Sequence, residues 1–283
     1  MKLPHTFRMV RSAAFTLVEI LIVAVLLTVI ILGLLAMFQQ TQKAFRVGLT
    51  QTDVLESGRA TTQLLARELE HIHPANGDAV NFFAWIPLPR QEQDLPATSL
   101  KRWNYLQEMF FLTRSNQYWI GIGYRVDTNN LVKLGTSSLY RYEARTHIST
   151  DPIWMNYDFY NQPLTSLSRI TDAVVHFKIQ AYDLKGVLLT NETIQNIPDT
   201  VIKMSSGNYA PGQVGLYAMT NKTVPAFIDF ELAILEPRAQ ERVRTLSDVP
   251  GSAAADYLAQ QAGRVHVFRQ RVTVRNVDPS VYP

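Results

Sequence analysis

The chain has no cysteine. That excludes a disulfide framework, a thiolate metal site and a cysteine nucleophile. Charge is almost missing from its early part, where Glu19 is the only charged side chain between Ser12 and Gln42. Also lacking are a Gly-rich phosphate loop, a Gly-x-Ser-x-Gly elbow, a His-Glu-x-x-His helix and a dinucleotide fingerprint. Nothing in the sequence therefore argues for an enzyme, and no cofactor is expected. Strong net charge is absent too. The formal value is +3, and Lys2, Arg8 and Arg11 in the first fourteen residues account for it. The remainder is formally neutral, which argues against non-specific nucleic-acid binding, since that needs a basic surface.

What is present is a long apolar run from Phe15 to Phe38. About 20 such residues suffice to cross a bilayer as a helix. The basic residues before it have no acidic companion, and this asymmetry predicts a cytoplasmic N-terminus and an exported body. A carboxylate near the start of a membrane segment is costly in hydrocarbon, so Glu19 reads as functional. The bland alternative is a glutamate snorkelling at the bilayer edge. An ordinary secretory signal fits poorly, because the run is too long and no small-x-small cleavage site follows it directly.

The stretch Ala14-Phe15-Thr16-Leu17-Val18-Glu19-Ile20 resembles the class III signal of type IV pilins and type II secretion pseudopilins. That family has a short basic leader, a small residue (usually Gly, here Ala14), then Phe-Thr-Leu-(Val/Ile)-Glu and a continuous apolar helix. The resemblance implies a leader over residues 1–14, removed by a prepilin peptidase between Ala14 and Phe15. Phe15 would then be N-methylated, and Glu19 would be the fifth mature residue, where the family carries its glutamate. It further implies a minor pseudopilin or minor pilin precursor in the inner membrane, with a periplasmic body. Its partners would be other pilin or pseudopilin subunits. Cleavage creates a new α-amine beside an apolar helix, and Glu19 of one subunit can neutralise the amine of its neighbour. Breaking such a buried pair costs roughly 3–5 kcal/mol. A tip adhesin or DNA-uptake subunit on the same anchor is the alternative.

From residue 39 to 73 the helical pattern continues but turns amphipathic. Phe45, Gly48, Leu49, Thr52, Leu55, Gly58, Thr62, Leu65, Leu69 and Ile72 form one stripe at spacings of three and four. Pro74 and Asn76-Gly77 close it. Residues 74–283 read as a mostly antiparallel β domain. Strands are expected at Phe82–Ile86, Met109–Thr113, Gln117–Asp127, Ser138–His147, Ile170–Tyr182, Ala226–Leu235 and Arg264–Val274. Arg90–Lys101 reads as a loop, Trp103–Leu106 as a helical turn, and Ile153–Tyr160 as a strand or ordered loop. Leu188–Val224 is loop-rich, while Arg238–Leu246 and Ala253–Gln261 read as helical. The class is α+β, pilin-like, with a long first helix packed on a sheet. The order of the body, down to Val224-Pro225 and the pair Arg275-Asn276, loosely resembles the pseudopilin J and pilin W group.

Other constellations weigh little. His71 and His73 are two apart and do not share a helix face, so no metal site is expected. Asp127-Thr-Asn-Asn130 lacks the Gly and terminal Glu of a calcium loop and reads as a hairpin turn. Arg264, Arg269, Arg271 and Arg275, with Arg238, Arg242 and Arg244, are interleaved with acids and read as a solvated face. Trp103, Tyr105, Tyr118, Trp119, Trp154, Tyr157, Phe159 and Tyr160 read mainly as core and sheet cover, with a carbohydrate or peptide groove as the competing reading.

Overall fold

A computed structural model describes residues 16–87, 91–94, 101–127, 136–190, 202–205, 216–247 and 253–282. It is α+β: a long N-terminal helix and an antiparallel sheet. Helix α1 is Leu17–Leu69, 53 residues. The chain divides into two compact units, and the boundary falls within α1, after Leu49.

The first unit holds the apolar half of α1. It is long and apolar enough to cross a membrane, and none of its apolar window is buried. Leucine, isoleucine and valine cover every face, with Leu21, Val25, Leu32 and Leu35 all at least half exposed. A helix that is apolar all round needs an apolar surrounding. The hydroxyls within it are satisfied internally: Thr28 donates to the Ala24 carbonyl at 2.8 Å and Thr41 to that of Met37 at 2.9 Å. That is how polar side chains are accommodated where water is absent.

The second unit contains the rest of α1 and the sheet. Its strands are β1 (Phe82–Trp85), β2 (Gln91–Asp94), β3 (Lys101–Asn104), β4 (Glu108–Ser115), β5 (Tyr118–Val126), β6 (Ser137–His147), β7 (Ser168–Tyr182), β8 (Ile202–Ser205), β9 (Leu216–Met219), β10 (Phe227–Leu235) and β11 (Val265–Thr273). Nine of them form one sheet in the order β11-β10-β7-β6-β5-β4-β1-β9-β8, and β2 and β3 form a separate ribbon. Helices α2 (Ile153–Asn161), α3 (Pro237–Ser247) and α4 (Ala253–Ala259) complete the body.

Strand β7 explains how the sheet curls. Its first half pairs with β6 and its second with β10. Val174 is the partner of both Ser137 and Ile234, the register shifts beside it, and Ala173 takes a left-handed φ of 56°. The edge of β7 that β6 leaves free is taken by residues just before β4. Phe177 N donates to the Tyr105 carbonyl at 2.6 Å, Gln107 N donates to the Phe177 carbonyl at 2.9 Å, and Ile179 N donates to the Gln107 side chain. The start of β4 is thereby bonded to a strand three places away, and the sheet bends back on itself.

Both faces of β4 and β5 are covered, so β4 is a continuous apolar run rather than an alternating one. Met109, Phe111, Ile122 and Tyr124 share a core with Leu65 and Leu69 of α1 and with Ile72 just beyond it. Phe110 and Leu112 meet α2 through Met155 and Phe159. The seam of α1 differs from the expected stripe. Val54 and Gly58 are buried, whereas Phe45, Leu49 and Leu55 are exposed. Gly58 is needed there, since a Cβ would sit 2.1 Å from the Phe268 ring.

The turn just after α1 is fastened from far along the chain. Asn276 Nδ2 donates to the Ile72 carbonyl at 2.8 Å, and Arg275 pairs with Glu70 at 2.8 Å. The helix end itself is closed locally, Glu70 N, His71 N and Ile72 N donating to the carbonyls of Ala66, Glu68 and Leu69. The fully buried Asn81 pins the following loop, exchanging two bonds with Ala75.

Three expectations are corrected. Arg90–Lys101 is not simply a loop, because Gln91–Asp94 is a strand. Trp103–Leu106 is not a helical turn but the end of β3 and its continuation onto β7. Ile153–Tyr160 is neither strand nor loop but helix α2. Its aromatic residues favour strands in isolation. Packing decides otherwise: Met155 and Phe159, one helical turn apart, drop onto the glycine side of β5. The segment expected to be loop-rich, Leu188–Val224, also contributes β8 and β9.

Candidate functional site

The residues singled out from the sequence lie at the start of α1. Ala14 and Phe15 fall outside the described residues. Thr16 and Glu19 are described, and they cap the helix reciprocally. Thr16 N and Thr16 Oγ1 each donate to Glu19 Oε2 at 3.3 Å, and Glu19 N donates to Thr16 Oγ1 at 3.3 Å. Ser/Thr-x-x-Glu at a helix start is the capping box, in which two orphan amides are satisfied at once. The negative carboxylate also sits at the positive end of the helix. All three bonds leave Glu19 Oε1 without a protein partner among the described residues. The Thr-Leu-Val-Glu spacing in the sequence carries this signal, although the pairing argument for Glu19 did not require it.

The remaining candidates are dispersed in the second unit. His71 Nδ1 lies 2.7 Å from the Arg67 carbonyl. His73 instead contacts the Pro74 carbonyl and the edge of Trp119. Among the described residues, no three His, Asp or Glu side chains gather. Asp127 exchanges bonds with Ser137 across the hairpin, and residues 128–130 lie outside the described residues. The aromatic set divides. Tyr105, Trp119 and Phe159 are core, while Tyr118, Trp154 and Tyr157 are exposed. Arg269, Arg271 and Arg275 each pair with an acid, namely Glu231, Asp229 and Glu70.

Two ionic groups inside the second unit were not legible from spacing. Under α1, Glu68 binds Arg141 and accepts from the Tyr124 hydroxyl. Arg141 passes on to Glu143, and Glu143 to Arg145. Burial, then the Glu68 charge, pushes the Tyr124 phenol above its ordinary value. Under α2, Arg125 Nη1 donates to the carbonyls of Phe159, Tyr160 and Gln162 at 3.1, 3.3 and 2.8 Å. It serves the open C-terminal end of that helix. Its neighbour Glu108 is buried, with Oε1 3.7 Å from Arg125 Nε. Burial, opposed by Arg125, pushes the Glu108 carboxyl up to about 6.

No protein-family model, curated protein or solved structure matches the chain.

Proposed function

We propose that the chain is the precursor of a minor pilin or pseudopilin, a structural subunit rather than an enzyme. In this reading a prepilin peptidase removes residues 1–14 and Phe15 becomes the methylated N-terminus. The apolar half of α1 waits in the inner membrane and then enters a filament core, while the β domain stands in the periplasm. The observation that supports it most is the conjunction at one helix start of Phe15-Thr16-Leu17-Val18-Glu19 with a wholly exposed apolar helix. Thr16 holds Oε2 of Glu19 and leaves Oε1 for an ammonium donor. A neighbouring subunit's new α-amine supplies such a donor, and the pairing sets the register of one helix against the next.

The test is the mass and N-terminal sequence of membrane-extracted protein, from cells with and without a prepilin peptidase. A methylated Phe15 start that depends on the peptidase is expected. An intact Met1 start in both, or cleavage after the apolar run, removes the reading.

A second reading, a tip adhesin on the same anchor, is favoured by the exposed Trp154 and Tyr157 of α2, which are 41% and 74% accessible. Glycan-array binding that is lost in Trp154→Ala separates it from a purely structural subunit.

A further inference from the structure

A cleft opens where β7 leaves β6. The two strands pair only as far as Arg141, which lies opposite Ser168, the first residue of β7. Strand β6 runs on to His147. Beyond Arg141 that edge has no strand beside it among the described residues. The end of α2 and a 3₁₀ turn at Leu164–Ser166 stand there instead. Between them lies a space of about 360 Å³, lined on its polar side by Arg141, Glu143, Asp158, Gln162, Ser166 and Ser168. Its volume falls within the range of small-ligand sites. An unpaired strand edge also offers backbone N–H and C=O groups.

The polar side chains are fixed before any ligand arrives. Tyr142 Oη donates to Asp158 Oδ2 at 2.7 Å, and Gln162 Nε2 donates to Asp158 Oδ1 at 3.2 Å. Ser166 Oγ donates to Gln162 Oε1 at 3.0 Å. Such preorganisation lowers the ordering cost of binding. The one guanidinium lining the cleft, that of Arg141, is committed to Glu68 and Glu143. An anion therefore finds no free cation in this lining. A carboxylate has about four lone-pair sites, so Asp158 and Glu143 still accept from further donors. Hydroxyl groups, which both donate and accept, match this lining of carboxylates, amide and serines.

An aromatic ring stands close by. Trp154, Asp158 and Gln162 are spaced by four, which sets them along one side of α2. Trp154 is half-exposed, one turn from Asp158. An apolar ring beside a polar cleft suits a ligand with an apolar face and a hydroxylated rim.

We propose that the cleft between β6 and α2 binds a sugar ring, its hydroxyls bonded to Asp158, Gln162 and Glu143 and its C–H face against Trp154. The proposal rests on the adhesin reading and gives it a site.

The test uses the full chain in a zwitterionic detergent, which carries no sugar headgroup. A printed glycan array selects the best-bound glycan, which is then titrated calorimetrically. Saturable binding is expected, weakened about tenfold or more in Asp158→Asn and in Trp154→Ala. Should Asp158→Asn lose its circular dichroism signature, Gln162→Ala carries the same expectation. Binding that is lost in Trp154→Ala but unchanged in folded Asp158→Asn or Gln162→Ala overturns the cleft and leaves the adhesin reading with the exposed aromatic patch alone. Binding unchanged in all the variants overturns the cleft as well. Absence of any binding on the array overturns both the cleft and the adhesin reading.

Discussion

Arg141 holds Glu68 through two nitrogens on one oxygen, Nε at 2.9 Å and Nη2 at 2.7 Å. The other carboxylate oxygen accepts from the buried Tyr124 hydroxyl. A helix residue and two strands thus meet at one carboxylate, whose side chain is only 13% exposed. Removing Glu68 strands both a cation and a phenol. Glu68→Ala is expected to cost roughly 2–3 kcal/mol, below the fully buried case because water still reaches the pair. Arg141→Ala should cost a comparable amount. Chemical unfolding of the two single variants and the double variant checks this: the double should lose clearly less than the sum.

Glu108 gives stability a pH dependence of unusual sign for an acid. Its folded-state pKa, about 6, lies above the ordinary glutamate value. Folding therefore favours the protonated form, and the contribution is fully present below the unfolded-state pKa, near 4.5. It is lost as pH rises through about 6. From pH 7 down to about 5 the native chain should gain roughly 1 kcal/mol from this group, with the remainder of the shift realised only below the unfolded-state pKa. Unfolding midpoints measured across that range should show the slope, and Glu108→Gln should flatten it. An unchanged slope in Glu108→Gln would assign the effect elsewhere.

Gly123 of β5 lies under the Phe159 ring of α2, and a Cβ there would fall 2.3 Å from the ring. Gly123→Ala is expected to destabilise by about 1–3 kcal/mol, as overpacking in cores does. The near-ultraviolet dichroism should weaken, because Phe159 packs edge-on against both Tyr142 and Tyr160. Combining it with Phe159→Leu should recover part of the loss.

At the other end of the chain, two variants separate capping from charge. Glu19→Gln keeps an oxygen for the Thr16 donors and removes the negative charge. If Glu19 registers subunits by pairing with an ammonium, Glu19→Gln and Glu19→Ala should both insert normally. Both should then be recovered from sheared filaments at a tenth of the usual level or less. Thr16→Val, which loses the capping hydroxyl alone, should cost about 1 kcal/mol of helix-end stability and reduce recovery far less. Normal recovery of Glu19→Gln would reduce the residue to a helix cap.

Elements with one strong periodic face were legible in the sequence. Residues 17–69 and the strands at Tyr118–Val126, Phe227–Leu235 and Val265–Thr273 carry their partners' geometry in their own pattern. Helix α2 was not legible, because Trp154, Tyr157 and Phe159 favour strands until the glycines of β5 provide a bed for them. Gln91–Asp94 is polar throughout, and only pairing with Lys101–Asn104 makes it a strand. Of the candidate sites, the Glu19 cap was readable as a four-residue spacing. The pairs Glu68–Arg141 and Glu108–Arg125 join residues 73 and 17 positions apart through tertiary packing, and no local pattern announces them. The Arg275-Asn276 pair is visible in the sequence only through a resemblance, and its physical use is to fasten residues 70–72 just after α1.

That fastening also orders events in time. The contact between Asn276 and Ile72 spans 204 positions, so this fastening of the turn after α1 waits until nearly the whole body has been delivered. Contacts of such separation form late, since a large loop must close before they reward the chain. A body interrupted before residue 275 would leave the Ile72 carbonyl without its amide donor and Glu70 without its cation. Completion of the chain and fastening of the turn that follows α1 are thereby made a single event.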